Sequence, residues 1–194
     1  MIFCKKTLLA SSIALASLVT YAHASSPVSV APVYIGVEGG VAFPSGQDFG
    51  SDLDTGYQMA ALIGYHLSEN WRTDLHFDRI QYLNYESRVK LNQYIVTVNA
   101  YYDLYNIAPQ KILGCTPYFS AGLGWAHNTF SPRSNNFNGF AWEVGTGITY
   151  DFRIKYALSL GYRLLGNRHI NNGMFETGYN NIVSLSLTYR FSQV

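Results

Sequence analysis

Val183-Ser-Leu-Ser-Leu-Thr-Tyr-Arg-Phe191, at the end of the chain, alternates apolar and polar side chains with a period of two. A β-strand sends successive side chains to opposite faces, so this stretch has one oily face and one hydrophilic face that carries an arginine. Working backwards, the same alternation marks seven more segments: 33–43, 55–67, a third from Trp71 to the loop at 83, 89–104, 117–127, 140–151 and 156–165. With 179–191 they make eight strands. The spacing predicts an all-β fold, an eight-stranded antiparallel up-and-down transmembrane β-barrel.

What precedes the strands agrees with export. Residues 1–24 have the layout of a cleavable secretory leader, with Lys5 and Lys6, an apolar core over 8–19 and the small-residue end Ala22-His-Ala24. A retained membrane helix needs about 20 apolar residues, more than this core offers. The expected organisation is therefore a signal peptide over 1–24, a short N-terminal segment over 25–32, a barrel over 33–191 and a tail over 192–194. Cys4 leaves with the leader, and Cys115 alone cannot form an intramolecular disulfide. A net charge of +1 lacks the dense basic patch that nucleic acid requires.

The two faces decide between a membrane barrel and a soluble one. On the third strand Trp71, Thr73, Leu75 and Phe77 occupy one parity, and Arg72, Asp74, His76 and Asp78 the other. A charge at every second position suits a water-bearing lumen, whereas a soluble lipocalin-like barrel is apolar inside. Glycine shares the polar parity, as in Tyr118, Ser120, Gly122, Gly124 and Ala126 of the fifth strand, an inner face small enough to admit bulky side chains from opposite strands. Aromatic residues, 15% of the chain, gather at both ends of the outward faces. Tyr65, Trp71, Tyr102, Phe119, Tyr150, Tyr156 and Tyr189 form one girdle; Phe43, Tyr57, Tyr94, Trp125, Phe140 and Trp142 form the other. Strands of about 11 residues, rising roughly 3.3 Å each and tilted near 45°, span on the order of 25 Å, the height of an outer-membrane apolar band.

Connection lengths orient the barrel. The short links at 68–70 and 152–155 read as periplasmic turns, and 44–54, 83–88, 128–139 and 166–178 as outer loops. The 105–116 link is long for a periplasmic turn.

Asn99-Ala-Tyr-Tyr-Asp103, Pro117-Tyr-Phe-Ser-Ala-Gly-Leu-Gly-Trp-Ala126, Gly161-Tyr-Arg163 and the closing Leu187-Thr-Tyr-Arg-Phe191 resemble the opacity-type surface-antigen family of OmpA-like eight-stranded outer-membrane barrels. The resemblance spans essentially the whole mature chain. It implies an outer-membrane location, insertion by the barrel-assembly machinery, and roles such as adhesin, antigen or envelope stabiliser. The family usually ends on its aromatic residue, whereas here Ser192-Gln-Val194 follow Phe191.

Candidate chemistry lies in the lumen and at the rim. A four-residue turn over 152–155 sets Glu143 opposite Arg163, both inward, as an ion pair. Glu38 and Arg190 sit on the strands that must close the barrel and are expected to form a second. Arg72, Asp74, His76 and Asp78, with His66 across the turn, share a face but climb it in steps of about 6.6 Å, too far for adjacent members to share one metal. Asp48, Asp52 and Asp54 lack calcium-loop spacing. Arg79, Arg88, Lys90, Arg133 and Arg168 gather at the outer rim, where the phosphates of lipopolysaccharide lie. Arg168-His-Ile-Asn-Asn-Gly173 looks like the His-x-Ser-Asn stretch of lipid A deacylases, but Asn171 stands in the serine's place and has no hydroxyl to activate.

The sequence thus predicts a non-catalytic, monomeric surface barrel with a plugged polar lumen, without catalytic, cofactor or metal residues. Its expected partners are outer-membrane lipid, lipopolysaccharide and a host or envelope ligand at the loops. A narrow porin-like channel is the alternative, and a lipid A-modifying enzyme the third reading.

Overall fold

The computed structural model describes residues 33–45, 55–83, 90–104, 114–131, 135–153, 155–171 and 174–191. Eight strands follow in chain order: β1 (Val33–Ser45), β2 (Gly56–His66), β3 (Trp71–Leu83), β4 (Lys90–Asp103), β5 (Cys115–Ser131), β6 (Asn135–Arg153), β7 (Tyr156–Asn171) and β8 (Met174–Arg190). Each pairs antiparallel with its neighbours, and β1 pairs with β8 to close the barrel. Following the paired residues from Tyr34 through Gly64, Asp74, Asn99, Gly122, Glu143, Leu165 and Asn180 returns to β1 at Pro44, ten residues further on. That stagger over eight strands corresponds to a tilt of about 40°.

Tight turns hold one end. Leu67 and Ser68 donate their backbone N–H groups to Trp71 O at 2.8 and 3.1 Å, and Trp71 N donates to Ser68 Oγ at 3.1 Å. The other short turn follows an irregularity between Asp151 and Arg153 that inserts one residue into β6. Of the long link, 105–113 lies outside the described residues; Gly114 ends it at φ 80°, a left-handed conformation that suits glycine.

At the other end the strands outrun the sequence reading. Residues read as loops over 128–139 and 166–178 are largely strand: Asn128 pairs with Phe137, Phe130 with Asn135, Ile170 with Phe175 and Asn171 with Met174. β6 and β7 pair only as far as Gly139 and His169, so the β5–β6 and β7–β8 hairpins rise beyond that level as two separate arms. Their Asn-rich sequence hides this, because a ribbon wetted on both faces has no apolar alternation to read.

Outside, the oily parity stands exposed as expected, with Val37 60% and Met59 62% accessible. Trp71 and Tyr102 pack at 5.0 Å between ring centres, and Tyr156 and Tyr189 at 5.2 Å, in the periplasmic girdle. Inside, the expected polar lumen occupies only part of the bore. Ile80, Tyr82, Leu91, Ile95, Leu165 and Ile182 point inward beyond the charged residues and are buried together with Ala42, Ala126 and Ala141.

Candidate functional site

Arg163 on β7 is the centre of the lumen. Its Nη2 lies 2.6 Å from Glu38 Oε1 on β1 and 2.9 Å from Asp78 Oδ1 on β3, and its Nη1 lies 2.9 Å from Glu143 Oε2 on β6. His76 Nδ1 is 3.2 Å from the same Nη1. Gln58 on β2 donates through Nε2 to Asp78 Oδ1 at 2.6 Å and to Glu38 Oε1 at 3.1 Å. One guanidinium therefore joins three carboxylates from three other strands across the barrel. Glycines make the room: a Cβ on Gly145 would lie 3.0 Å from Arg163 Cγ, and one on Gly122 would lie 1.6 Å from Asn99 Oδ1 and 3.1 Å from Glu143 Cγ. At Gly122 the inner face of β5 receives side chains from its two adjacent strands.

The Glu143–Arg163 contact is diagonal. Glu143 pairs with Leu165 and Gly145 with Arg163, two residues away from the register expected. The shift is an even number of residues, so both side chains stay inward. The expected Glu38–Arg190 pair is not made. Arg190 sits opposite Tyr34 and Glu38 opposite Ser186, four residues or roughly 13 Å apart along the seam. Arg190 instead meets Asp151 Oδ1 at 2.6 Å, near the periplasmic mouth.

Below the Arg163 cluster, Arg72 Nε lies 3.0 Å from Asp103 Oδ2, and its guanidinium sits 3.9 Å from the Tyr101 ring centre and 5.1 Å from that of Tyr118. Tyr34 Oη donates to Asp74 Oδ2 at 3.3 Å, and Asn99 Nδ2 to Asp74 Oδ1 at 3.2 Å. Along the inward row of β3, Arg72 and Asp74 share Tyr34 Oη, at 3.4 and 3.3 Å, and His76 and Asp78 share Arg163. Among the described residues no group of three or more His, Cys, Asp or Glu is arranged for a metal ion. A cavity of about 30 Å³ bounded by Glu38, Arg72, Asp74 and Tyr101 has room for one water.

Above the cluster the apolar ring closes the bore, and a carboxamide layer covers the ring: Tyr82 Oη donates to Asn180 Oδ1 at 2.7 Å, and Asn180 Nδ2 to Gln93 Oε1 at 3.0 Å. Ile80, Leu91, Leu165 and Ile182 have no exposure.

At the rim, Arg79 faces outward with its guanidinium 5.8 Å from the Tyr94 ring centre. Lys90 opens β4 opposite Ser131, and Arg168 lies in β7 opposite Phe140 and Thr177. Their side chains, like Arg88, Arg133, the Asp48, Asp52 and Asp54 set, and residues 1–32 and 192–194, lie outside the described residues. His169 and Asn171 occupy the rising arm of β7.

Comparison with known proteins agrees with this architecture. The family described as outer membrane protein beta-barrel domain matches residues 11–191. Outer membrane protein PagN of Salmonella typhimurium LT2 is 24% identical over 181 residues, covering 77% of this chain and 73% of its own. The crystal structure of Neisserial surface protein A superposes with a TM-score of 0.66 at 20% identity, covering 82% of this chain and 97% of the other. That of Ail, the attachment invasion locus protein of Yersinia pestis, gives 0.51 at 14% identity over 82% and 97%. These two likenesses concern the fold.

Proposed function

Since this chain belongs to the outer membrane protein β-barrel domain family, we propose that it is a non-catalytic surface protein that binds through its outer loops and raised arms, as an adhesin or invasion-type protein or an envelope-structural one. The observation that carries this reading is the sealed lumen. Ile80, Leu91, Ile95, Leu165 and Ile182 fill the bore with dry side chains, and a hydrophobic constriction excludes ions by dewetting. A narrow channel is disfavoured for that reason. The lipid A deacylase reading is disfavoured by Asn171, which supplies no nucleophile.

Binding then falls to the parts above the membrane. The two hairpin arms carry paired strands beyond Gly139 and His169, and variable recognition loops are presented on such a scaffold. Arg79, Arg88, Lys90, Arg133 and Arg168 supply positive charge for lipopolysaccharide phosphates or another polyanion. The leader over 1–24 is removed on export in this account, and the barrel acts as a monomer. The likeness to PagN and Ail supports the reading.

The test is surface display on a non-adherent bacterium, with residues 129–138 and 169–176 each replaced by an Asn-Gly turn. Binding to cultured cells or matrix-coated plates should disappear with the arms while the barrel stays folded. Undiminished binding without both arms would refute the reading, as would an altered lipid A mass profile on overexpression.

A further inference from the structure

β6 and β7 separate before either strand ends. Their pairing stops at Gly139 and His169. Continued one step, the register would join Asn138 to Ile170, and two steps would join Phe137 to Asn171; neither pair is made. Both strands nevertheless go on, because Asn136 and Phe137 pair with Thr129 and Asn128 of β5, and Ile170 and Asn171 with Phe175 and Met174 of β8. The two arms therefore enclose a notch, and one bank of it is the edge of β6 over 135–138.

Which backbone groups face the notch follows from the alternation of a strand. In β4 and β8, which run in the same direction as β6, inward residues bond back to the segment before: Asp103 N donates to Asn70 O and Arg190 N to Lys155 O, both at 2.8 Å. The outward residues beside them bond forward, Leu104 N to Pro117 O at 2.8 Å and Phe191 N to Val33 O at 2.9 Å. By the same rule Phe137, which has the parity of Gly139 and Ala141, directs its N–H to β5. Asn136 has the parity of Phe140 and directs its N–H and C=O toward β7, at a level where β7 no longer pairs.

The edge is also undefended. Natural sheet edges are blunted by lysine, proline or a bulge. Asn135-Asn-Phe-Asn138 has neither charge nor proline, and the β5–β6 register runs unbroken from Cys115 and Tyr150 to Phe130 and Asn135. Such an edge accepts a further strand, bound through main-chain hydrogen bonds. With the β7–β8 arm as its other bank, the notch suits a single extended chain better than the edge of a second barrel, which brings its neighbouring strands with it.

We propose that this notch is a docking site for an extended peptide segment of the target protein, which adds as a strand to β6 and pairs with Asn136. The proposal rests on the reading that the arms bind, and deepens it: recognition is through a backbone edge.

The experiment is adhesion of the displaying bacterium to cultured epithelial monolayers, read against the same bacterium without the barrel. Asn136→Pro deletes the free donor and spares the pairing with β5, since proline is tolerated where an edge N–H faces solvent. It should cut adhesion by roughly tenfold or more, the worth of about two backbone hydrogen bonds. Asn136→Ser changes the side chain alone and should leave adhesion unchanged. In a Cys115→Ser background, Phe137→Cys with Asn171→Cys places thiols where the arms would meet if they zipped shut. The oxidised form should not adhere, and reductant should restore adhesion. Heat-dependent gel mobility verifies that each variant is folded.

Adhesion that needs the arms yet survives both Asn136→Pro and the oxidised lock overturns the edge alone. Absent wild-type adhesion, or adhesion that survives loss of both arms, overturns the function and this proposal with it. Equal losses in Asn136→Ser and Asn136→Pro place recognition in the side chain and overturn strand addition. Clumping of the displaying bacteria that Asn136→Pro abolishes puts a second copy in the notch and overturns the peptide occupant.

Discussion

Toward the periplasm, the lumen is filled by Arg72, Arg163 and Arg190 with their carboxylates; toward the outside, Ile80, Leu91, Ile95, Leu165 and Ile182 fill it with hydrocarbon. Both regions are buried, yet they respond to damage in different ways. A charged cluster binds distant strands through directional contacts, and losing one member strands the others without compensation. An apolar layer has no fixed partners and loses stability in proportion to the volume removed. The charged half links strands that are not neighbours, and on the function proposed above the apolar half keeps it from becoming a conduit.

The largest effect should come from Arg163, whose loss takes the guanidinium from Glu38, Asp78 and Glu143 together and leaves Asp78 only His76 Nδ1 at 3.6 Å. Arg163→Met is expected to cost about 3–5 kcal/mol in urea unfolding from lipid, or to prevent insertion. Next is Leu165→Ala in the dry layer, with an expected loss of about 2–5 kcal/mol by the same assay. Glu38→Gln should cost less, about 1–2 kcal/mol, because a carboxamide oxygen still accepts from Arg163 while Gln58 keeps Asp78. Arg190→Gln should be smallest, about 0–1 kcal/mol, because the Arg190–Asp151 pair is partly wet at the mouth. If Arg190→Gln costs as much as Arg163→Met, the two regions of charge are not distinct in the way described.

What the sequence revealed and what it concealed follow the same physics. The face of every inward charge was legible, since period two is a local property that a register shift of two residues cannot alter. The partner of each charge was not. Glu38 reaches Arg163 across the bore, 125 positions away in sequence, and no neighbouring-strand argument finds such a contact. Asp78 reads inward by parity, but the same limit hides its contact with Arg163. The dry layer was missed because Ile80 and Tyr82 continue the polar row of β3 with apolar residues, which alternation alone assigns to neither side. The arms were missed because Asn-rich ribbons in water carry no amphipathic signature.

Steady conductance in planar bilayers tests the sealed lumen most directly, comparing the wild-type protein with the double variant Ile80→Ala, Leu165→Ala. The account predicts no steady current from the wild type and a measurable one once the two apolar side chains are cut back. Steady wild-type current that changes with Glu143→Ala would contradict it and make the charged cluster the lining of a pore.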